Sequence, residues 1–183
     1  MDTTVGHITV AEYRALPDKP GVRMELHDGE LFEIAYPKKR HWDIQDRIMD
    51  LLKPQLQKYG RVGMEFAFRP MPEYNLWAAD VAFVRHDRIM LMDRNDNLRG
   101  APDLVIEVES PSNTAPEFEK REKICLGKGC QEFWVVYPSL QLVRVATADG
   151  KVKRLERGDS IDLTVAPGVT VAVDDIFASD EKI

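Results

Sequence analysis

Two periodicities divide this chain. Apolar residues recurring every three or four positions predict helices, and single alternation predicts strands. Thr9-Val-Ala-Glu12 has the form of a capping box, which predicts a short helix through Leu16 stopped by Pro17 and Pro20. Residues 23–34 alternate on either side of Asp28-Gly29, a dipeptide suited to the tight turn that needs positive φ at both central positions. That hairpin sets His27 opposite Glu30, Leu26 opposite Leu31 and Glu25 opposite Phe32. Over residues 42–59, Ile44, Ile48, Leu51, Leu52 and Leu56 fall at helical spacing, with Pro54 predicting a kink or break. Residues 61–69 and 80–84 read as strands, and residues 85–100 as a charged surface loop with a Met-rich patch. Residues 132–137 form a further strand ended by Pro138. The rest, to residue 177, reads as a β-meander with a turn at Ala148-Asp-Gly150 and a last strand over 169–173.

The stretch that organises these elements is Ala101-Pro-Asp-Leu-Val-Ile-Glu-Val-Glu-Ser-Pro-Ser112. Leu104, Val105, Ile106 and Val108 make an apolar run too short for a typical helix. Such a run suits a strand covered on both faces, inside a sheet. Turn formers bound it on both sides. Glu107 and Glu109 stand at its downstream end, and burying an unpaired charge there is costly. Either they reach the open rim of the sheet, or a cation meets them.

The next helix supplies candidates for that cation. Thr114-Ala-Pro-Glu117 predicts its start and Gly127 or Gly129 its end. Phe118, Cys125 and Leu126 define its apolar arc. At 100° per residue Arg121 falls on the flank of that arc, Lys120 near the opposite side, and Lys123 further round than Arg121. Arg121 is the base best placed to reach the sheet.

Length and charge narrow the classes. A chain of 183 residues can bury one sizeable core, so one domain over residues 1–183 is expected. No apolar run is long enough to cross a bilayer and no secretory leader is visible, which makes a cytoplasmic location the default expectation. Cys125 and Cys130 have no matching second pair, so reduced core thiols are expected rather than a zinc site. A net charge of −6 argues against passive nucleic-acid binding. It argues less against an enzyme whose carboxylates are neutralised by a metal ion.

Several acidic and basic residues have both a functional and a bland reading. Glu25, His27 and Glu30 share one face of the hairpin, where they serve a site or are simply wet, and pattern alone favours the second. Pro37-Lys-Lys-Arg-His41 is a basic patch ahead of a helix. A solvated turn is the usual meaning, and phosphate contact by Lys38, Lys39 and Arg40 the functional alternative. Asp103 and Glu107 lie four residues apart on one strand, about 13 Å at roughly 3.3 Å per residue, too far to share one ion. Asp103 is expected to cap the strand entry. Asp80, on another strand, is the better partner for Glu107, since two carboxylates on neighbouring strands with water and phosphate oxygens can hold Mg²⁺. The competing reading is a structural ion cluster of Asp80, Glu107 and Arg121, and the pattern does not separate the two.

Quoted in order, Thr9-Val-Ala-Glu-Tyr13, Arg23-Met-Glu-Leu-His-Asp-Gly-Glu-Leu31, Ala79-Asp-Val-Ala-Phe-Val84, Ala101-Pro-Asp-Leu-Val-Ile-Glu-Val108, Gly129-Cys-Gln-Glu-Phe-Trp-Val-Val136 and Ala166-Pro-Gly168 with Asp174-Asp-Ile-Phe177 span most of the chain. In these stretches it resembles the Uma-two family of restriction-endonuclease-like proteins, within the PD-(D/E)XK nuclease superfamily. The resemblance implies an α/β (α+β) fold, a mixed sheet flanked by helices, carrying here the N-terminal hairpin and the C-terminal meander. It implies Mg²⁺- or Mn²⁺-dependent hydrolysis of nucleic acid, DNA first, by an endonuclease that often pairs as a homodimer. It also implies Asp80 and Glu107 as metal ligands and Glu25 as a third acidic member. Two departures stand out. The family's Pro-Asp is Ala79-Asp80, and the family's helix lysine falls on Arg121, which stays protonated but can grip a phosphate. Lys123 could replace it only on a rotated or irregular helix. A catalytically inactive relative that binds nucleic acid or a protein is the alternative reading.

Overall fold

The structure is a computed structural model and describes residues 7–17, 20–110 and 114–178. The turn expected at Pro111 and Ser112 therefore lies outside the described residues. Helix α1 (Val10–Ala15) opens with the expected capping box between Thr9 and Glu12. Strands β1 (Arg23–His27) and β2 (Glu30–Ile34) form the hairpin with the expected register, and Asp28 and Gly29 have φ of 51° and 84°. Helix α2 (Lys39–Leu56) starts three residues earlier than its apolar pattern suggests, so Lys39 and Arg40 lie in its first turn and not in a preceding loop. It carries Pro54 without ending there.

Strand β3 (Gly60–Arg69) pairs antiparallel with β4 (Trp77–Arg85), which begins three residues before Asp80. Gly60 permits that pairing, since a Cβ there would stand 2.1 Å from the Val84 carbonyl oxygen. The segment expected to be loop holds a short helix α3 (His86–Met90) and a two-residue strand β5 (Leu98–Arg99). The organising strand is β6 (Leu104–Val108), followed by α4 (Ala115–Gly127) and β7 (Glu132–Tyr137). Strands β8 (Leu142–Thr147) and β9 (Val152–Glu156) complete the meander. The last expected strand is shorter and lies elsewhere. β10 (Ser160–Asp162) and β11 (Thr170–Ala172) make a separate two-stranded sheet, and α5 (Val173–Ile176) follows.

Among the described residues seven strands form the main sheet, in the order β5-β3-β4-β6-β7-β8-β9. It is mixed, because β3–β5 and β6–β7 run parallel while the other pairs are antiparallel. The parallel β6–β7 pair needs a long crossover, which α4 supplies. β6 is central and buried along its whole length, as its Val- and Ile-rich run requires. On one face Ile44, Ile48, Leu52 and Leu56 of α2 pack on Val81, Phe83, Ile106 and Val108, together with Ile161, Val171 and Ile176. On the other, Phe118 and Cys125 of α4 pack on Val105, Phe133 and Val135. Each fully buried aliphatic side chain contributes roughly 1.5–3 kcal/mol. The cysteines are free and buried. Burial pushes the Cys130 thiol up to about 12, which suits inert core packing. No described helix is long and apolar enough to cross a membrane.

β3 and β4 do not keep one side-chain parity. Val62 and Met64 pack with the α2 core, whereas Phe66 and Phe68, on the same alternation, pack with the α4 core. β4 changes over in parallel: Trp77 and Ala79 lie with α4, Val81 and Phe83 with α2. The changeover falls at Glu65, which has φ +49°, and at Asp80, both lying between the Met64–Val81 and Phe66–Ala79 pairs.

Candidate active site

The antiparallel ladder between β4 and β6 ends at Val81 and Ile106. The same register one step further would set Asp80 opposite Glu107, but there β4 continues beside β3 only and β6 beside β7 only. The separation leaves a notch with one carboxylate on each wall. Asp80 bridges it, its Oδ2 accepting a 2.6 Å hydrogen bond from the Val108 amide. Its Oδ1 accepts from Gln45 Nε2 at 2.9 Å and lies 3.2 Å from His41 Nε2. Gln45 also donates to Glu65 Oε1 at 2.8 Å, so one buried amide of α2 holds two carboxylates.

Glu107 is met from the opposite layer. Arg121 Nε lies 2.9 Å from Glu107 Oε1, and Arg121 Nη1 donates to Glu25 Oε2 at 3.2 Å. Arg121 also donates to the Ala78 carbonyl and stacks 5.1 Å from the centre of the Trp77 ring. Glu25 comes in from the hairpin, which is tied to Leu76, the residue before β4, through reciprocal Leu26–Leu76 backbone hydrogen bonds. It accepts from the Ala78 amide at 3.0 Å and pairs with His27 at 2.9 Å. Arg23 pairs with Glu65.

Two carboxylates of this cluster titrate in opposite directions. Burial alone would raise Glu25, but Arg121, His27 and the Ala78 amide outweigh it and hold its pKa down to about 2. For Glu107 burial wins. With Asp80, Glu25 and Glu65 adding repulsion, its pKa stands well above the usual carboxylate range despite Arg121. Four carboxylates (Glu25, Glu65, Asp80, Glu107) face two guanidiniums (Arg23, Arg121), an excess of two negative charges when all four acids are ionised and before either histidine is counted.

The Uma2 family, described as "Putative restriction endonuclease", matches residues 10–174. The chain belongs to this family. A crystal structure of a putative nuclease belonging to DUF820 from Anabaena variabilis ATCC 29413 has the same fold, with a TM-score of 0.79. The match covers 93% of this chain and 98% of that one at 22% identity. No curated protein gives a significant match.

Within this Uma2 fold Glu25, Asp80, Glu107 and Arg121 come together around one notch. Lys123 does not join them; it is exposed on α4 and makes no ion pair among the described residues. Lys38, Lys39 and Arg40 are exposed at the start of α2, close along the chain to His41. The hairpin acids divide: Glu30 is exposed, whereas Glu25 is only 4% exposed and so not simply wet. Sequence reasoning missed Gln45, Glu65 and His41. Gln45 had a signal, since it stands among Ile44, Ile48 and Leu52 on the buried face of a helix. Asp103 sits at the other end of β6, where it accepts from the Arg85 amide at 3.0 Å and pairs with Arg88 at 3.1 Å.

The notch suits a divalent cation by donor type and charge. Asp80, Glu65 and Glu107 offer hard oxygen atoms, the buried Glu107 Oε1 is met by the ion-pair contact from Arg121 Nε, and the excess charge with all four acids ionised is that of one such ion. As the side chains stand, no three acidic, cysteine or histidine groups among the described residues converge at coordination distance. Seating an ion requires the Arg121–Glu107 contact to open.

Proposed function

We propose that this Uma2 protein is a metal-dependent endonuclease that hydrolyses phosphodiester bonds of nucleic acid, with DNA the first substrate to test. The observation that carries the reading is the pair Asp80 and Glu107, set on neighbouring strands where their ladder ends, amid unbalanced negative charge. Asp80 and Glu107 would hold Mg²⁺ or Mn²⁺. When bound, the ion supplies Lewis acidity at the phosphate and lowers the pKa of a bound water.

The remaining roles belong to the chain. Gln45 fixes Asp80 and Glu65 so that neither turns away from the notch. Glu25 and the Ala78 carbonyl aim Arg121. Once released from Glu107, its planar fork can grip a phosphate bidentately. It does not serve as a base, because its neighbours stabilise the protonated form. Lys38, Lys39 and Arg40 lie on the exposed approach and would contact the phosphate backbone, and Lys123 would act only from outside the cluster.

Titration calorimetry of Mg²⁺ and Mn²⁺ into wild type and Asp80→Ala, with plasmid nicking on the same samples, tests this. Binding and nicking that both vanish in the variant are expected, and wild type that binds no ion sinks the reading. One observation favours a second reading, a binding module without catalysis: Arg121 already occupies Glu107. Ion binding without nicking, unrelieved by Arg121→Lys, would select it.

A further inference from the structure

Beside the acid cluster lies an open cleft of about 490 Å³ between the hairpin, the start of α2 and β3–β4. Its walls include Arg23, Tyr36, Trp42, Met64 and Trp77, and it shares Glu25, Gln45 and Glu65 with the site described above. Tyr36 and Trp42 are 66% and 50% exposed, large aromatic faces turned to water with no packing role in either core. Between them in sequence stand Pro37 and the exposed Lys38, Lys39 and Arg40. Aromatic faces interleaved with a basic run form the recurrent platform for single-stranded nucleic acid, where bases stack and cations track the backbone.

The charge distribution decides which part of a nucleotide goes where. Within the cleft Arg23 pairs with Glu65, and Glu25 pairs with Arg121 and His27, so the described lining offers no unpaired cation to a phosphate. Lys38 and Lys39 follow directly on the lining residue Pro37 and offer exposed cations to a phosphate, Lys39 from beside Asp43. A neutral, flat, polar-edged group suits the interior, and a phosphodiester suits the rim. The wall also holds two buried polar atoms without a partner, the Trp77 indole N–H and the Gln45 amide oxygen. Slight opening would let a donor–acceptor edge use both.

We infer that this cleft takes one unpaired nucleobase, stacked on Trp42 and Tyr36, with the flanking phosphates on Lys38 and Lys39. The preferred ligand is therefore single-stranded nucleic acid, or a strand whose base has left its stack, and not an intact duplex. The inference rests on the nuclease reading for the nature of the ligand and extends it to the strand form. It differs from that reading in depending on aromatic residues that touch neither Asp80 nor Glu107.

The test is fluorescence anisotropy of a labelled single-stranded DNA 12-mer and of its duplex, in Ca²⁺, with wild type and a Tyr36→Ala/Trp42→Ala double variant. Trp42 is the exposed member of the three tryptophans, since Trp77 is 2% exposed and Trp134 fully buried, so binding should also quench tryptophan emission in wild type. We expect the single strand to bind about ten-fold tighter than the duplex, and the double variant to lose about ten-fold with its melting temperature unchanged. Three results overturn the proposal: no oligonucleotide binding, equal binding by the double variant, or preference for the duplex. A nicking assay in Mg²⁺ separates the two readings. Nicking with binding independent of Trp42 removes the cleft proposal and leaves the nuclease. Binding that depends on Trp42 without nicking does the reverse.

Discussion

Arg121 Nε stands 2.9 Å from Glu107 Oε1, yet the two residues depend on each other unequally. Arg121 serves two carboxylates, Glu107 and Glu25, and its Nη2 closes the Ala78 carbonyl. Among the described residues Glu107 pairs with that one cation, and Asp80, Glu25 and Glu65 all act against its ionisation. Removing Arg121 leaves two buried carboxylates without their shared cation, while neutralising Glu107 relieves repulsion.

Arg121→Ala should therefore destabilise the fold by about 3–5 kcal/mol, the usual cost of breaking a buried pair from one side. Glu107→Gln should change stability by less than about 1 kcal/mol at pH 7, or raise it. Urea denaturation of both variants checks this. Equal losses would mean that Glu107 is as firmly held as its partner.

The two acids also predict opposite pH limbs. Glu25 is held down to about 2 from an ordinary 4.5, so the stability it contributes is complete above pH 4.5 and is lost as pH falls through about 2. That limb amounts to on the order of 3 kcal/mol and should flatten in Glu25→Gln. Glu107 is raised above 4.5, so the native state holds its proton longer than the unfolded chain. Stability should then fall as pH rises from 4.5 through its folded value, and Glu107→Gln should abolish that fall. Denaturation midpoints from pH 2 to 9 record both limbs.

Gln45 is the neutral tie between Glu65 and Asp80. Gln45→Glu would replace two donated hydrogen bonds with a third carboxylate and should cost on the order of 2–3 kcal/mol. The same change adds a hard oxygen donor, so Mg²⁺ should recover a larger share of stability in the variant than in wild type. Melting temperatures with and without 10 mM-scale Mg²⁺ compare the two. An identical gain in both proteins would place the ion away from this amide.

Much of this geometry was readable in the residues, and the remainder has identifiable physical causes. Asp28-Gly29 determines the hairpin register because few other dipeptides accept two positive φ values. Arg121 follows from helical phase against Phe118 and Cys125. For Glu25 the pattern alone favours a wet side chain and only the family resemblance points to the site, because alternation reports which face a side chain takes, not whether another element covers that face. Here α4 covers it, from 96 residues away in sequence. Glu65 lay beyond any pattern. It sits in an apolar alternation that looks regular, and the change of side at φ +49° arises only when two strands twist together.

Asp103, just before β6, and Glu107 within it do not share a purpose. Asp103 is 1% exposed and satisfied by Arg88 and the Arg85 amide. Asp103→Ala should cost about 3 kcal/mol and leave calorimetric ion binding unchanged. Loss of ion binding without loss of stability would show that the upstream acid had been wrongly set apart from the site.

The change of side at Glu65 and Asp80 gives the two helical layers joint custody of one notch. Gln45 descends from one layer and Arg121 rises from the other, and neither alone completes the arrangement. Competence at the notch thus becomes a readout of assembly. A chain with either helix undocked keeps Asp80 and Glu107 on neighbouring strands but lacks Gln45 or Arg121 beside them, so the proposed ion site would be complete only once both layers have docked on the sheet.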